Sequence, residues 1–285
     1  MARRTGRSKR KLPDAVQKAR DEALARRRQA LQEHAAKIAP PIAPKEFDDL
    51  VSDEGAGNIG TYGNLLSLCP WYPVCAMALN VNPYRGCTNQ CSYCYVNQYA
   101  RGYIARAPGL TSRKFYGAVK NLDPLQRMLD VWAGRRKIAQ LPQGEQLYGE
   151  YFARGVPLRL AASTDPFCAL EKRFRHSANI LRMVGAVEYP LVITTKGGAL
   201  FDSYFDAIVS LPKKIVQFLL ISVDDEVRAD FEPNSPPIPM RLSAMERLAK
   251  AGVYVSVRMA PVIPDPRILA PEHLERFADI LQRIG

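Results

Sequence analysis

The sequence predicts an α/β chain whose parallel strands curl into a barrel or partial barrel, behind a basic N-terminal arm. Three observations predict it. From Ala76 onward, short apolar runs alternate with segments of helical period, the pattern of β/α units. Three of the six cysteines fall within eight residues, directly after the first of these runs. Polar residues also follow the other runs, and in such folds ligands bind at the C-terminal ends of the strands.

The basic charge is concentrated at the N-terminus. Residues 1–38 carry twelve Lys/Arg against four Asp/Glu, so +8 of the chain's +12 lies there. Met1 to Leu12 lacks apolar periodicity. Pro13-Asp14 can open a helix, and Ala15 to Ala39 is rich in helix formers with a thin stripe of Val16, Leu24, Leu31 and Ile38. A solvated helix fits this arm, and so does a segment that grips nucleic acid phosphates. Ala39-Pro40-Pro41-Ile42-Ala43-Pro44 reads as a stiff linker. Residues 45–75 read as an irregular lead-in, broken by Gly55, Gly57, Gly60 and Gly63. Residues 76–285 form the expected core. At 47 % apolar residues the chain can bury a sizeable one. No apolar run reaches the roughly twenty residues that span a bilayer, and Met1-Ala2-Arg3-Arg4 has no apolar segment behind it. The expectation is a cytoplasmic protein without a membrane partner, its thiols reduced and available to metal.

The expected strands are Ala76–Val81, Pro157–Ala162, Pro190–Thr195, Ile215–Val223 and Val253–Met259. Helical patterns occupy roughly Gln90–Arg106, Pro124–Ala133, Ala169–Val187, Ala199–Ser210, Pro239–Ala251 and Pro271–Ile284. Right-handed crossovers between sequential parallel strands favour closure toward a barrel. The strand ends then carry the cysteine loop, Ser163-Thr164-Asp165, Thr195-Lys196, Ser222 with Asp224, and Arg258. Singly, these are ordinary helix caps or solvated cations. Five polar ends on one rim around a cysteine triad mark a site.

Cys87, Cys91 and Cys94 are spaced C-x3-C-x2-C. Soft thiolates at this spacing suit an iron–sulfur cubane, each taking a separate iron and leaving the fourth open. A zinc knuckle stays open as an alternative, because Cys69 or Cys75 can supply a fourth thiolate. Both read more simply as small residues in a Pro-rich loop.

With Tyr93 before the last cysteine, this triad resembles the motif of the radical S-adenosylmethionine superfamily. Asn82-Pro83-Tyr84-Arg85-Gly86-Cys87 and Ser92-Tyr93-Cys94-Tyr95 resemble its subgroup of uncharacterised proteins related to spore photoproduct lyase. Phe231-Glu232-Pro233 resembles that group's Leu-Glu-Pro element, and Ala260-Pro261-Val262-Ile263-Pro264 matches its Ala-Pro-Val-Ile-Pro. The resemblance runs from about Ala76 to the end of the chain.

The resemblance implies a TIM-like partial (βα) barrel, a [4Fe-4S] cluster on Cys87, Cys91 and Cys94, and S-adenosyl-L-methionine on the open iron. It implies cofactor contacts from Ser163, Thr164 and Asp165 to the amino group, from Lys196 to the carboxylate, from Ser222, and from Tyr93 near the adenine. Arg258 completes the rim. An electron donor such as a flavodoxin or ferredoxin is implied, and nucleic acid is a candidate substrate. An apolar mouth of Phe167, Met259 and Val262 would shield a radical. Two departures stand out. Ala162 occupies the place of the hydrogen-donor cysteine of spore photoproduct lyase, and the pattern stops short of a sixth parallel strand. The rival readings are a nucleic-acid-binding iron–sulfur protein without this chemistry, and an inactive remnant.

Overall fold

The computed structural model describes residues 60–63, 65–69, 77–96, 116–197 and 201–284, together with Lys18 and Glu22. The chain divides into two units, residues 1–41 and 42–285. In the first, Lys18 and Glu22 are helical, and the remainder of the expected arm and linker lies outside the described residues.

In the second unit, six strands form one open sheet. Their order is β2 (Leu66–Leu68), β3 (Leu79–Val81), β6 (Leu158–Leu160), β7 (Leu191–Thr195), β8 (Lys214–Leu219) and β9 (Tyr254–Arg258). The last five are parallel, in the registers Leu79↔Leu158, Leu158↔Leu191, Leu191↔Lys214 and Ile215↔Tyr254. All five expected strands are present. Among the described residues β9 is an edge, so the sheet is a partial barrel without a sixth parallel strand. Its central strands β3, β6 and β7 are buried along their length, and the two polar residues within β3 and β6 pair with each other, Arg159 Nε donating to Asn80 Oδ1 at 2.8 Å.

The lead-in is less irregular than its glycines imply. β2 pairs antiparallel with β3, and β1 (Gly60–Tyr62) lies parallel to β5 (Gly117–Val119) in a second sheet closed by β4 (Tyr84–Arg85). Strands of two or three residues are too short to show a period of two, so the sequence gives no sign of them.

The helices that cover the sheet follow their apolar stripes. α1 (Asp123–Trp132) opens on Pro124 and buries Leu125, Met128, Leu129 and Val131. α2 (Gln146–Ala153) was not anticipated; Gly149 sits within it at a close approach, where a Cβ would meet Leu141. The expected helix over Ala169–Val187 is broken into α3 (Glu171–Phe174) and α4 (His176–Ala186) by Arg175, whose φ is +50°. The break has a cause. The buried Glu171 carboxylate accepts from the Ser177 and Ala178 N–H groups and from the Tyr84 hydroxyl, capping the new helix from inside. A 3-10 turn over Phe201–Tyr204 and α5 (Phe205–Val209) replace the longer helix expected from Ala199.

α6 (Asp225–Phe231) is a second unanticipated helix, capped by the Asp224 side chain on the Glu226 N–H at 2.9 Å. α7 (Ile238–Lys250), α8 (Pro266–Leu269) and α9 (Pro271–Ile284) complete the chain. α7 buries Ile238, Ala244, Met245 and Leu248, with Arg241 in the same stripe. In the described part of the helix expected over Gln90–Arg106, residues 90–96, Tyr95 and Val96 are helical; residues 97–106 lie outside the described residues.

Candidate metal centre and ligand rim

The cysteine loop leaves the buried end of β3 and is pinned at both sides. Its first turn needs a residue without a side chain. Gly86 has φ +79°, and a Cβ there would meet the Tyr116 ring at 2.6 Å. Gln90 is also left-handed and donates from its amide to the Tyr116 hydroxyl at 2.9 Å. Thr88 Oγ1 accepts from the Ala169 N–H at 3.1 Å, and the Ser92 N–H donates to the Phe231 carbonyl at 2.9 Å. The loop is thus fastened to the segments after β6 and α6 before any ligand is considered.

Cys91 is buried, and Cys87 and Cys94 are half-buried. Burial, partly opposed by Lys196, pushes the Cys91 thiol up to about 12, and burial raises Cys87 well above the ordinary range. Such thiols give up their protons to a metal, not to water. The Asp165 N–H donates to Cys87 Sγ at 3.4 Å, the kind of bond that orients a metal-binding sulfur. Among the described residues no three His, Cys, Asp or Glu side chains converge closely enough to hold one ion. A multi-iron cluster does not ask them to, since each thiolate takes its own iron. The donor set, three thiols on one short loop with a backbone donor on one sulfur, therefore fits a cluster.

Cys69 is buried in the main core, its N–H bonded to the Ala78 carbonyl at 2.8 Å. Cys75 lies outside the described residues. Cys168 is buried with Tyr84, Tyr116 and Leu170 behind the cysteine loop.

Parallel pairing puts the C-terminal ends of β3, β6, β7, β8 and β9 on one edge, where the sequence places the polar residues. After β6, Ala161 turns the chain with φ +62°, and Ser163 donates from N and Oγ to Asn82 Oδ1, both at 3.2 Å. Thr164 is buried, its hydroxyl 3.4 Å from the Tyr84 carbonyl. The buried Asp165 carboxylate accepts from the Lys196 N–H at 2.7 Å, the Phe167 N–H at 3.0 Å and the Thr195 hydroxyl at 3.1 Å. It laces the end of β6 to the end of β7. Burial raises its pKa despite these bonds. Ser222 is buried and accepts from the Asp224 N–H at 3.0 Å. Arg258 ends β9 exposed to solvent, apart from the buried group.

Lys196 is the centre of that group. Its Nζ donates to the Tyr93 hydroxyl at 2.7 Å and to Glu232, and lies 5.4 Å from the Tyr93 ring centroid. Tyr93 donates to Glu232 and stands within hydrogen-bonding reach of Cys91. Glu232, fully buried, also pairs with Arg241 at 2.6 Å. Burial opposes its ionisation, but Lys196 and Arg241 prevail and hold its carboxyl below the ordinary range. An ammonium has three N–H donors; among the described residues Lys196 has two acceptors, so one donor is left for a ligand.

The sequence marks Glu232 only through the resemblance of Phe231-Glu232-Pro233 to a family element, and Arg241 not at all. A signal was there: an arginine in the apolar stripe of α7 requires a buried carboxylate. The expected apolar mouth is also corrected. Phe167 is fully buried in the main core, edge-on to Phe201 at 5.2 Å between ring centroids. Val262 is exposed. Among the described residues, Tyr93 of the cysteine loop instead packs with Phe231, Ile263 and Leu269 on Ile221, Val227 and Ile268.

A model of the Radical SAM superfamily matches residues 81–278, more than half of the chain. Uncharacterised proteins of Mycobacterium tuberculosis and Mycobacterium bovis are 28 % identical over 208 residues, covering 72 % of this chain and 55 % of theirs. The chain thus spans about half the length of the curated relatives it matches. Among solved structures, a spore photoproduct lyase complexed with dinucleoside spore photoproduct superposes with TM-score 0.53 at 20 % identity, covering 79 % of this chain and 57 % of that one. A cysteine-to-alanine mutant of that enzyme, with the same ligand, gives 0.54 at 18 % identity, covering 90 % and 70 %. At these identities the likeness is one of fold.

Proposed function

The chain belongs to the radical SAM superfamily, and from that premise we propose that it is an enzyme holding a [4Fe-4S] cluster on Cys87, Cys91 and Cys94 and binding S-adenosyl-L-methionine beside it. When bound, the pair supplies reductive cleavage of the sulfonium and a 5′-deoxyadenosyl radical that takes a hydrogen atom from substrate. The observation that carries the reading is the third N–H of buried Lys196, which has no acceptor among the described residues and lies next to the cysteine loop at the rim of the sheet. A buried ammonium with a donor to spare suits the carboxylate of an amino acid ligand.

The other residues divide the remaining work. Tyr93, Phe231 and Ile263 exclude water beside the loop. Ser163, Thr164 and Asp165 form the adjoining rim toward the ligand's amino group, with Asp165 also fixing Lys196 by its backbone. Ser222 lies on the next strand end and Arg258 on the outermost. A flavodoxin or ferredoxin supplies the electron. The compartment is the cytoplasm; among the described residues no helix is long and apolar enough to cross a membrane.

The test is anaerobic reconstitution followed by reduction with S-adenosylmethionine. About four irons per chain and formation of 5′-deoxyadenosine are expected, and Lys196→Ala should weaken binding of the ligand while keeping the iron. Stoichiometric zinc without iron uptake would sink the reading.

Nucleic acid is the substrate class we propose, on the +8 carried by residues 1–38. Deleting that arm should flatten the salt dependence of binding to a nucleic acid duplex. A salt dependence that survives the deletion would remove this support.

A further inference from the structure

We propose that Glu232 is the positioning residue of the S-adenosylmethionine site, holding the Lys196 ammonium and the Tyr93 hydroxyl in register with the cysteine loop. The inference rests on the reading above and deepens it. The two carboxylate oxygens of Glu232 face different ways. Oε1 meets Lys196 and Tyr93, on the side of the cysteines. Oε2 meets Arg241 at 2.6 Å and the Ser235 hydroxyl at 3.2 Å, on the side of the scaffold.

Arg241 is itself rigidly held. It is 1 % exposed, donates from Nε to the Pro236 carbonyl at 2.8 Å, and reaches the Leu219 carbonyl at 3.4 Å. A planar guanidinium fixed by backbone acceptors aims the carboxylate that it binds. The relay therefore runs from the end of β8 and the start of α7, through Glu232, to a lysine whose ammonium sits on a flexible four-carbon stem. The backbone runs the same way. The Ser92 N–H bonds to the carbonyl of Phe231, one residue before Glu232, so the loop of the carboxylate and the loop of the cysteines are joined directly. With Glu232 in place, Lys196 keeps two of its donors occupied and presents the third. Without it, the ammonium is free to swing onto another acceptor such as Asp165.

A plain structural ion pair is the competing account, and variants of the full-length, iron-reconstituted protein separate the two. Glu232→Gln removes the charge and nearly keeps the shape, but leaves Arg241 buried without its partner. The double variant Glu232→Gln/Arg241→Met removes both members of the scaffold pair and serves where the single one fails to fold. Tyr93→Phe removes one hydroxyl and leaves every charge. Iron per chain, thermal midpoint, the S-adenosylmethionine dissociation constant, and the change that this ligand makes in the electron paramagnetic resonance spectrum of the reduced cluster are measured together.

Iron should stay at the wild-type level in all three. Affinity should fall about tenfold or more in the two Glu232 variants, the size expected for losing a hydrogen bond to a charged group. The spectral response to the ligand should weaken with it. The double variant should regain thermal stability relative to the single one without regaining affinity. Tyr93→Phe should lose about threefold. A double variant that binds within twofold of wild type overturns the proposal, as does unchanged affinity in Tyr93→Phe or a loss of affinity that only tracks the thermal midpoint. If the wild-type protein takes up iron and binds the ligand while these variants match it, this inference alone fails. If the wild type does neither, the functional reading falls and takes the inference with it.

Discussion

Replacing Gly86 by alanine should damage both the fold and the cysteine loop, and the structure says by how much. Two costs add at this position. At φ +79° a side chain meets the backbone, which costs about 1–2 kcal/mol. The new Cβ would also lie 2.6 Å from Cδ1 of Tyr116, a ring that cannot retreat because its hydroxyl holds Gln90 and its face lies in a buried cluster. Overpacking of this kind costs about 1–3 kcal/mol, so the expected loss is roughly 2–5 kcal/mol in urea denaturation. Gly134→Ala is the internal control: φ is +71°, but nothing among the described residues lies within 4 Å of the added Cβ, so only the dihedral cost applies. Because Cys87 is the next residue, Gly86→Ala should also lower iron uptake, whereas Gly134→Ala should not. Equal losses of stability in the two variants would refute the steric argument. Full iron content in Gly86→Ala would refute the claim that this turn sets the position of the first cysteine.

Changing Cys87, Cys91 or Cys94 singly to alanine should abolish iron uptake, while Cys69→Ala, buried where its N–H bonds to Ala78 ahead of β3, should keep it; iron and sulfide analysis decides. Glu171→Ala should cost about 3 kcal/mol or more, because the Tyr84 hydroxyl and the Ser177 and Ala178 N–H groups all lose their buried acceptor; a shift under about 1 kcal/mol in urea denaturation would show that α4 is capped some other way. His176 is kept neutral by burial, its pKa below the ordinary 6.5. As pH falls from 6.5 to that lower value, the unfolded chain takes up a proton that the folded chain refuses. Stability should therefore decline through this window and level off beneath it. His176→Gln should flatten the decline, and an unchanged slope between pH 7 and 5 would assign the effect elsewhere.

Much of the barrel was legible in the chain because its central strands are buried on both faces. β3, β6 and β7 read as apolar runs, and the alternation with helical stripes such as Leu125, Met128 and Leu129 supplied the order. The cysteine spacing was legible for a different reason: thiolates on one short loop are kept near each other by the covalent chain. The polar strand ends were legible as a set, because parallel pairing forces them onto one edge. The small sheet of β1, β5 and β4 was not, since two- and three-residue strands carry no period. Nor was the break at Arg175, which a carboxylate four residues earlier imposes through space. The pairing of Lys196 with Glu232 and Arg241 depended wholly on tertiary structure. These residues are separated by 36 and 45 positions along the chain and meet only because β7, the loop after α6 and the start of α7 end at one place. Sequence names the charged residues of a chain; which of them must face each other is decided by burial, where a charge without a partner is too costly to keep.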